Sequence, residues 1–432
     1  MRGSLVLGTT VSHSTCSRLS SQVGHRRKGG PQMDSLTSEV MLSDEALSIL
    51  ETAHRFAADV LRPAGKELDE LPDPADVIAP DSVLWTVHEK YRQLGVHQLG
   101  ELGLFEPAEL SLLLALINEE MGWGDSGLAV SLGASGFPRN LAPLTGDPEL
   151  LDRFFGPDST SIGCWAITEP DHGSDNLTLT DPSFADSGIR ANCIARRDGD
   201  DYVINGTKAA WVSNGTIADV AALFCSIDGD GGFAKGGVAI VPLDGPGVSR
   251  GRPLDKLGQR ALPQGEIHFD NVRIPGRWMV VEPEAYAPMV EAVLTSANTY
   301  MGTTFVGLAR AAYEHALEYA RERVQGGRPI IEHATVQTRL FKMFARLEAS
   351  RSLARRVAVM GAKGSMPIQY AIASKTFCTN TAFDIASDAL QILGGNGLAR
   401  EYPIEKLLRD ARAAMIEDGC NEVLSIVAGS KL

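Results

Sequence analysis

Cysteine is sparse and unpatterned in the 432-residue chain: six residues (16, 164, 193, 225, 378 and 420), with no CxxC and no paired spacing. A disulfide framework and a zinc site therefore find no support, and a reducing compartment is the default. No apolar run approaches the roughly 18–20 residues that a membrane-spanning helix needs, so a soluble protein is expected. Basic charge is also short, with 40 Lys and Arg against 54 Asp and Glu, a formal net charge of −14. That disfavours nucleic-acid binding, although local arginines and helix N-termini can still hold phosphate. No GxGxxG follows a candidate strand, and GGNG at 394–397 sits in a helical zone with the wrong spacing. P-loop, HExxH and GxSxG patterns are missing too, which removes the commonest nucleotide-binding and hydrolase readings. The nine histidines are scattered, so no metal-ligand set is expected.

What is present is the composition of a globular enzyme, 44% apolar and 22% charged. The length calls for two or three domains. Residues 1–33 carry Arg2, Arg18, Arg26, Arg27 and Lys28 and no acidic residue. This reads as an organellar transit peptide, a disordered extension, or translation begun upstream of Met33. The location is cytoplasmic, or the mitochondrial matrix if the segment is a transit peptide.

Beyond this extension (1–42), three zones follow. Residues 43–158 read helical: Ser43 suits an N-cap, apolar residues recur at helical spacing, and Pro63 should end the first helix. "PAELSLLLALINEEMGWG" (107–124) is apolar enough to be buried on most sides. Residues 159–280 change to short β-rich segments, 202–207, 220–228, 236–243 and 266–275, separated by Gly, Asn, Asp and Pro. That pattern indicates an antiparallel sheet. Residues 281–432 return to helix, with Val306, Ala309, Tyr313, Leu317 and Ala320 on one stripe. The fold class is α+β: an all-α domain, an antiparallel β domain and a helical bundle.

Three segments carry chemistry. "CWAITEPDHGSDNLTL" (164–179) turns at Pro170 and Gly173 and concentrates donors at Thr168, Ser174 and the backbone. "INGTKAAWVSNGTIADV" (204–220) places Trp211 and Ser213 on a short strand, suited to a flat heteroaromatic ligand. "QILGGNGLAREYPIEKLLRDARAAMIEDGCNEV" (391–423) runs from a glycine-rich turn to the adjacent carboxylates Glu417 and Asp418.

In this order, the three segments resemble the acyl-CoA dehydrogenase family. The matching residues are Thr168-Glu169-Pro170, Gly173-Ser174-Asp175, Asn205-Gly206, Lys208, Trp211, Ser213, Gly394–Gly397, Glu401-Tyr402-Pro403 and Arg409-Asp410-Ala411. "LGQRALPQGEIHFDNVRIP" (257–275) is similar to the family's strand segment leaving the β domain. The resemblance implies a C-terminal four-helix bundle and FAD held between it and the β domain. Trp165, Ala166, Ile167, Thr168 and Ser174 would line the flavin, with Trp211 and Ser213 near N5. Cys420 and Glu422 would stand on the cofactor side. Arg323, Gln391, Gly394 and Gly395 would meet FAD across a subunit boundary, implying a homotetramer or homodimer.

The implied reaction, in lipid metabolism, removes an α-proton from an acyl-CoA and passes the β-hydride to flavin N5, giving an enoyl-CoA. An electron-transfer flavoprotein would accept the electrons. The family's base is a Glu in Tyr-Glu-Gly-Thr, and ungapped register from Arg409 puts Asp418 there, with Glu417 in place of Tyr and Cys420 in place of Thr. Register favours Asp418, residue type Glu417. Asp is a methylene shorter, about 1.5 Å. A second known base position falls near Ala297, which cannot serve. Asn298, Gly326-Gly327, His333-Ala334 and an extra Ala between Lys208 and Trp211 also depart from the pattern. A branched, cyclic or biosynthetic acyl-CoA is thus as good a candidate as a straight chain. Alternatives are an oxidase, a monooxygenase, dehydrogenation at a remote ring position, or a flavin-binding homologue without activity.

Overall fold

The computed structural model describes residues 40–432 apart from 230, 363 and 365, so the expected extension lies almost wholly outside it. Ser43 caps α1 (Asp44–Phe56), its hydroxyl accepting from Ala46 N at 3.3 Å and satisfying an N–H the helix cannot. The expected stop at Pro63 does not occur. A π-turn at Ala57–Leu61, in which Arg62 N–H reaches back to Ala57 O, carries the chain into α2 (Arg62–Glu70). Pro63 then falls in a first turn, where its missing N–H costs little.

The helices α3 (Val83–Leu94), α4 (Pro107–Gly124), α5 (Ser126–Gly136) and α6 (Pro148–Phe155) complete the N-terminal part. As its composition predicts, α4 is covered on most sides, with Leu112, Leu113, Ile117 and Met121 buried.

Eight strands follow: β1 (Gly163–Ala166), β2 (Ile194–Asp198), β3 (Asp201–Lys208), β4 (Val220–Ile227), β5 (Gly236–Pro242), β6 (Val248–Arg250), β7 (Ile267–Pro275) and β8 (Met279–Val281). They form one sheet in the order β6-β7-β3-β2-β4-β5-β8, with β1 beside β4. The sheet is mixed rather than wholly antiparallel, because β1 and β2 both run parallel to β4. Parallel neighbours need long connections, and the loops between these strands supply them. The segment 251–266 is mostly loop, so only 267–275 of the stretch resembling the family's strand segment is strand.

The C-terminal part begins with α7 (Pro283–Glu322), 40 residues and about 60 Å long. It packs with α8 (Ala334–Gly361), α9 (Ile368–Leu393) and the short α10 (Ile404–Ala414) around buried Phe305, Leu308, Met343, Leu347 and Ile385. A last helix, α11 (Asn421–Gly429), lies beyond the bundle's fourth member. On the other side, α4 packs against α7 through charge. Arg310 donates to Glu120 at 2.7 and 2.6 Å and to Glu119 at 3.3 Å; Arg351 and Arg355 of α8 each reach Glu119 at 3.0 Å.

Buried charges of this kind are tolerated only when mutually satisfied. Arg310→Ala leaves Glu120, among the described residues, with His54 as its one ion-pair partner. The expected loss is about 3 kcal/mol, read as a lower denaturant midpoint; a shift under about 0.5 kcal/mol would contradict this view of the interface.

Candidate active site

A cavity of about 1010 Å³ opens where the sheet, α3, α5, α7 and the turn after α10 converge. One wall is the loop that leaves β1. The chain reverses at Glu169–His172, whose backbones exchange hydrogen bonds of 2.8 and 3.2 Å. The Glu169 carboxylate, turned inward, accepts from Asn192 N, from Cys193 N at 3.2 Å and from Lys208 Nζ at 2.6 Å. Lys208 also donates to Ile167 O at 3.1 Å, and both partners are almost fully buried. The pair thus clamps the loop to β3 and presents Trp165, Ile167, Thr168 and Ser174 to the cavity. Ala166 points the other way, into the sheet core, and its side chain lines nothing.

Trp211 and Ser213 also border the cavity, but not from a strand. They lie in a turn after β3, where Ser213 makes an isolated bridge to Gln264. Gln264 Nε2 donates to Trp211 O at 3.0 Å and to Ser213 Oγ at 3.4 Å. Trp211 is 59% exposed, an unusual state for so large an apolar side chain.

The opposite wall holds Glu417 and Asp418, both lining the cavity. Burial pushes the Asp418 carboxyl up to about 6, with Lys375 pulling the other way. Burial likewise raises Glu417 to about 7, opposed by a 3.0 Å hydrogen bond from Gln259 Nε2 and reinforced by the Asp418 charge. Asp418 has φ +51°, and neither its carboxylate nor its N–H has a hydrogen-bond partner among the described residues. Glu417 is engaged; Asp418 is free.

Several buried groups set this turn. Lys375 Nζ donates to Gly419 O and Asn421 Oδ1, each at 2.8 Å, and burial lowers it to about 8. Ser174 Oγ accepts from Cys420 N at 2.9 Å, tying the two walls together. Lys256, also lowered to about 8 by burial, donates to Leu262 O and Gln264 Oε1 at 2.7 Å. Gly258 lies so close to α10 that a Cβ would stand 2.3 Å from Arg409 O.

The other expected cofactor residues lie apart. Arg323, Gln391, Gly394 and Gly395 are exposed at the far end of the bundle. A hydrogen bond of 3.0 Å from Asn396 Nδ2 to Tyr319 OH brings the end of α7 beside the glycine-rich turn. Glu422 is exposed on the first turn of α11, and Cys420 contributes its N–H to the Ser174 link.

Residues 164–272 match the model of the acyl-CoA dehydrogenase middle domain and residues 289–431 that of the C-terminal domain. Cyclohex-1-ene-1-carbonyl-CoA dehydrogenase from Geobacter metallireducens is 31% identical over 90% of this chain and 98% of its own length. The short-chain specific mitochondrial acyl-CoA dehydrogenase of Bos taurus is 28% identical over 94% of both. Among solved structures, butyryl-CoA dehydrogenase from Megasphaera elsdenii superposes with a TM-score of 0.78 at 26% identity, covering 91% of this chain and 99% of that one. The chain belongs to the acyl-CoA dehydrogenase family. It is an oxidoreductase that dehydrogenates the CH–CH bond of an acyl-CoA, in a flavin-dependent family.

For this acyl-CoA dehydrogenase, motif reading missed Gln259, Lys256 and Lys375. Gln259 stands inside the 257–275 stretch that resembles the family's strand segment, and Lys256 just before it; Lys375 offers no local signal, being an ordinary lysine in a helix.

The raised Asp418 value has a consequence for stability. The folded chain keeps this proton to higher pH than the unfolded chain, so the cost of ionising it is absent below the unfolded value of 3.8 and complete above about 6. Asp418→Asn should therefore raise the melting temperature at pH 8, by an amount equivalent to on the order of 1–2 kcal/mol with cavity solvent allowed for. The gain should shrink towards pH 4; a gain independent of pH would refute the assignment.

Proposed function

We propose that Asp418 is the base that removes the α-proton of an acyl-CoA, with FAD bound against the Trp165–Thr168 wall. The observation that carries this is the state of Asp418: a cavity-lining carboxylate, raised to about 6, with no competing hydrogen bond among the described residues. A base needs a lone pair facing the substrate and a pKa near the working pH. Glu417, held by Gln259, is poorly placed to move. The unpaired Asp418 N–H is a donor for the thioester oxygen, where negative charge grows as the α-proton leaves.

The residues present fit a flavin. Trp165 Nε1 is buried without a partner, Thr168 Oγ1 makes no hydrogen bond among the described residues, and Trp211 offers an open indole face. These groups can donate to a polar ring edge and exclude water from its face. When bound, FAD supplies the acceptor for the β-hydrogen. Arg323, Gln391, Gly394 and Gly395 would serve the FAD of a neighbouring subunit in a homotetramer or homodimer. Exposed Phe341 and Phe344 on α8 and Phe377 on α9 support such an assembly. An electron-transfer flavoprotein would take the electrons. The reading keeps a branched or cyclic acyl group open, the Geobacter relative being named for a cyclohexene-carbonyl thioester.

Anaerobic flavin bleaching by a panel of straight, branched and cyclic acyl-CoAs tests this. Asp418→Asn should slow bleaching by about 10²–10⁴-fold, and Glu417→Gln by less than about tenfold. A bleached Asp418→Asn enzyme beside a dead Glu417→Gln enzyme would reverse the assignment. Oxygen consumption on turnover would instead mark an oxidase or monooxygenase.

Because only the ionised carboxylate accepts a proton, the bleaching rate should fall about tenfold per pH unit below about 6 and level off above it. A rate that rises on acidification would rule out a carboxylate base of this pKa.

A further inference from the structure

The base occupies one part of the cavity; another part, built by α3, the end of α5 and the segment 154–161, has a different character. Arg92, His97 and Arg139 line it together, with Phe137, Phe154 and Phe155. Arg92 makes only a 3.5 Å contact to Thr160 O, and Arg139 a 3.0 Å hydrogen bond to Phe155 O. Neither guanidinium has a carboxylate partner within 4.0 Å among the described residues.

Arginines without a carboxylate partner are common among the described residues, Arg250 and Arg412 included; Arg92 and Arg139 are set apart by lying together on the cavity lining beside His97, whose protonation burial and both charges oppose. Arg153, Arg277 and Arg409 each meet an aspartate, and Arg310 two glutamates. Glu101, also on the cavity lining, is exposed and bonds to neither arginine. The charges felt by His97 are those of Arg139, Glu101 and Arg92, whereas Asp418 feels Lys375. His97 and Asp418 thus answer to different charges within one cavity. The lining also includes Val130, Leu132, Gly133, Tyr91 and Tyr300, and the Tyr300 hydroxyl, raised by burial, feels both Tyr91 and Asp418. Gly133 is required there, because a Cβ would come within 2.7 Å of the Tyr300 ring. Apolar and aromatic lining in the same cavity as the base and this cationic pair suits an acyl chain that finishes in an anion.

We infer that Arg92 and Arg139 form a subsite for a second carboxylate, borne on the acyl group at the end remote from the thioester, so that the preferred substrates are acyl-CoAs of dicarboxylic acids. The inference rests on the dehydrogenase reading and narrows its substrate class. A planar guanidinium pairs with a carboxylate through two parallel hydrogen bonds, and two such groups fix the chain end as well as attract it. The phosphates of CoA offer the same anionic oxygens; diacid and monoacid thioesters share the CoA arm, so comparing them separates the two sources.

The test uses the flavin-loaded enzyme and matched CoA thioesters: glutaryl, adipyl and pimeloyl against pentanoyl, hexanoyl and heptanoyl. Binding is followed by calorimetry and turnover by anaerobic bleaching. A diacid should bind at least tenfold tighter than its monoacid counterpart at one chain length or more. In Arg92→Gln and in Arg139→Gln that ratio should fall about 10–100-fold, chiefly in KM, as expected when a charged hydrogen-bond partner is lost. Monoacids preferred at every length would overturn the subsite. So would equal losses for both series in the variants, the result expected if these arginines hold CoA phosphate. A diacid preference in binding without bleaching by any thioester would uphold the subsite and defeat the dehydrogenase chemistry. Bleaching by monoacids alone would do the reverse.

Discussion

The Asp410 carboxylate is wholly buried and serves three parts of the chain at once. It accepts from Gln259 N, in the loop leaving the sheet, and from Lys406 Nζ at 2.6 Å on its own helix. Lys406 reaches on to Asp125 at 2.6 Å, the residue that caps α5 through Leu128 N. Beside it, Arg409 ties Asp69 of α2, Glu405 of α10 and Leu257 O together. Burial works against each of these charges, and only the mutual pairing makes their presence tolerable; the two aspartates hold Lys406 protonated well above its ordinary value. The turn with Glu417 and Asp418 follows α10 within a few residues. Its position is thus inherited from a junction that all three parts of the fold must complete.

A second buried pair, Lys208 with Glu169, performs the same service on the facing wall. One pair positions the loop that brings Trp165, Ile167, Thr168 and Ser174 to the cavity, and the other positions the carboxylates. Ser174 Oγ, accepting from Cys420 N, fixes the spacing between them. Catalytic geometry needs agreement to within a fraction of an ångström, and rigid, fully satisfied buried charge is one way to secure it.

How legible this was in the sequence depended on the range of the interactions. The strands 220–227 and 267–275, the helix 107–124 and the Ser43 cap follow from local chemistry, and they could be read directly. The Thr168-Glu169-Pro170 and Gly173-Ser174-Asp175 loop, the region that brings Trp165, Ile167, Thr168 and Ser174 to the cavity, was legible as a motif. Pro63 misled because a π-turn upstream absorbed its missing N–H, which no propensity encodes. Trp211 and Ser213 were placed on a strand, but the ladder ends at Lys208, whose ammonium turns inward to Glu169. Gln259 and Lys375 act on partners 158 and 44–46 residues away, so their roles exist only in the folded chain. Arg92 carries no local signal, reading as an ordinary helix-surface residue, and only the folded chain brings it to the cavity lining.

Asp418 sits in the left-handed region of backbone space, and so the backbone screens the side chains that can stand there. Aspartate and asparagine visit this region more readily than longer acids, while glycine, which visits it freely, carries no acid. A glutamate would extend the reach of the carboxylate but would meet the full steric cost of the left-handed backbone, roughly 1 kcal/mol. The short acid and the φ of +51° are therefore a matched pair. Drift at this position is channelled towards the amide, which keeps the shape and loses the proton acceptor: the route by which such an enzyme would become a silent binder of its own substrate.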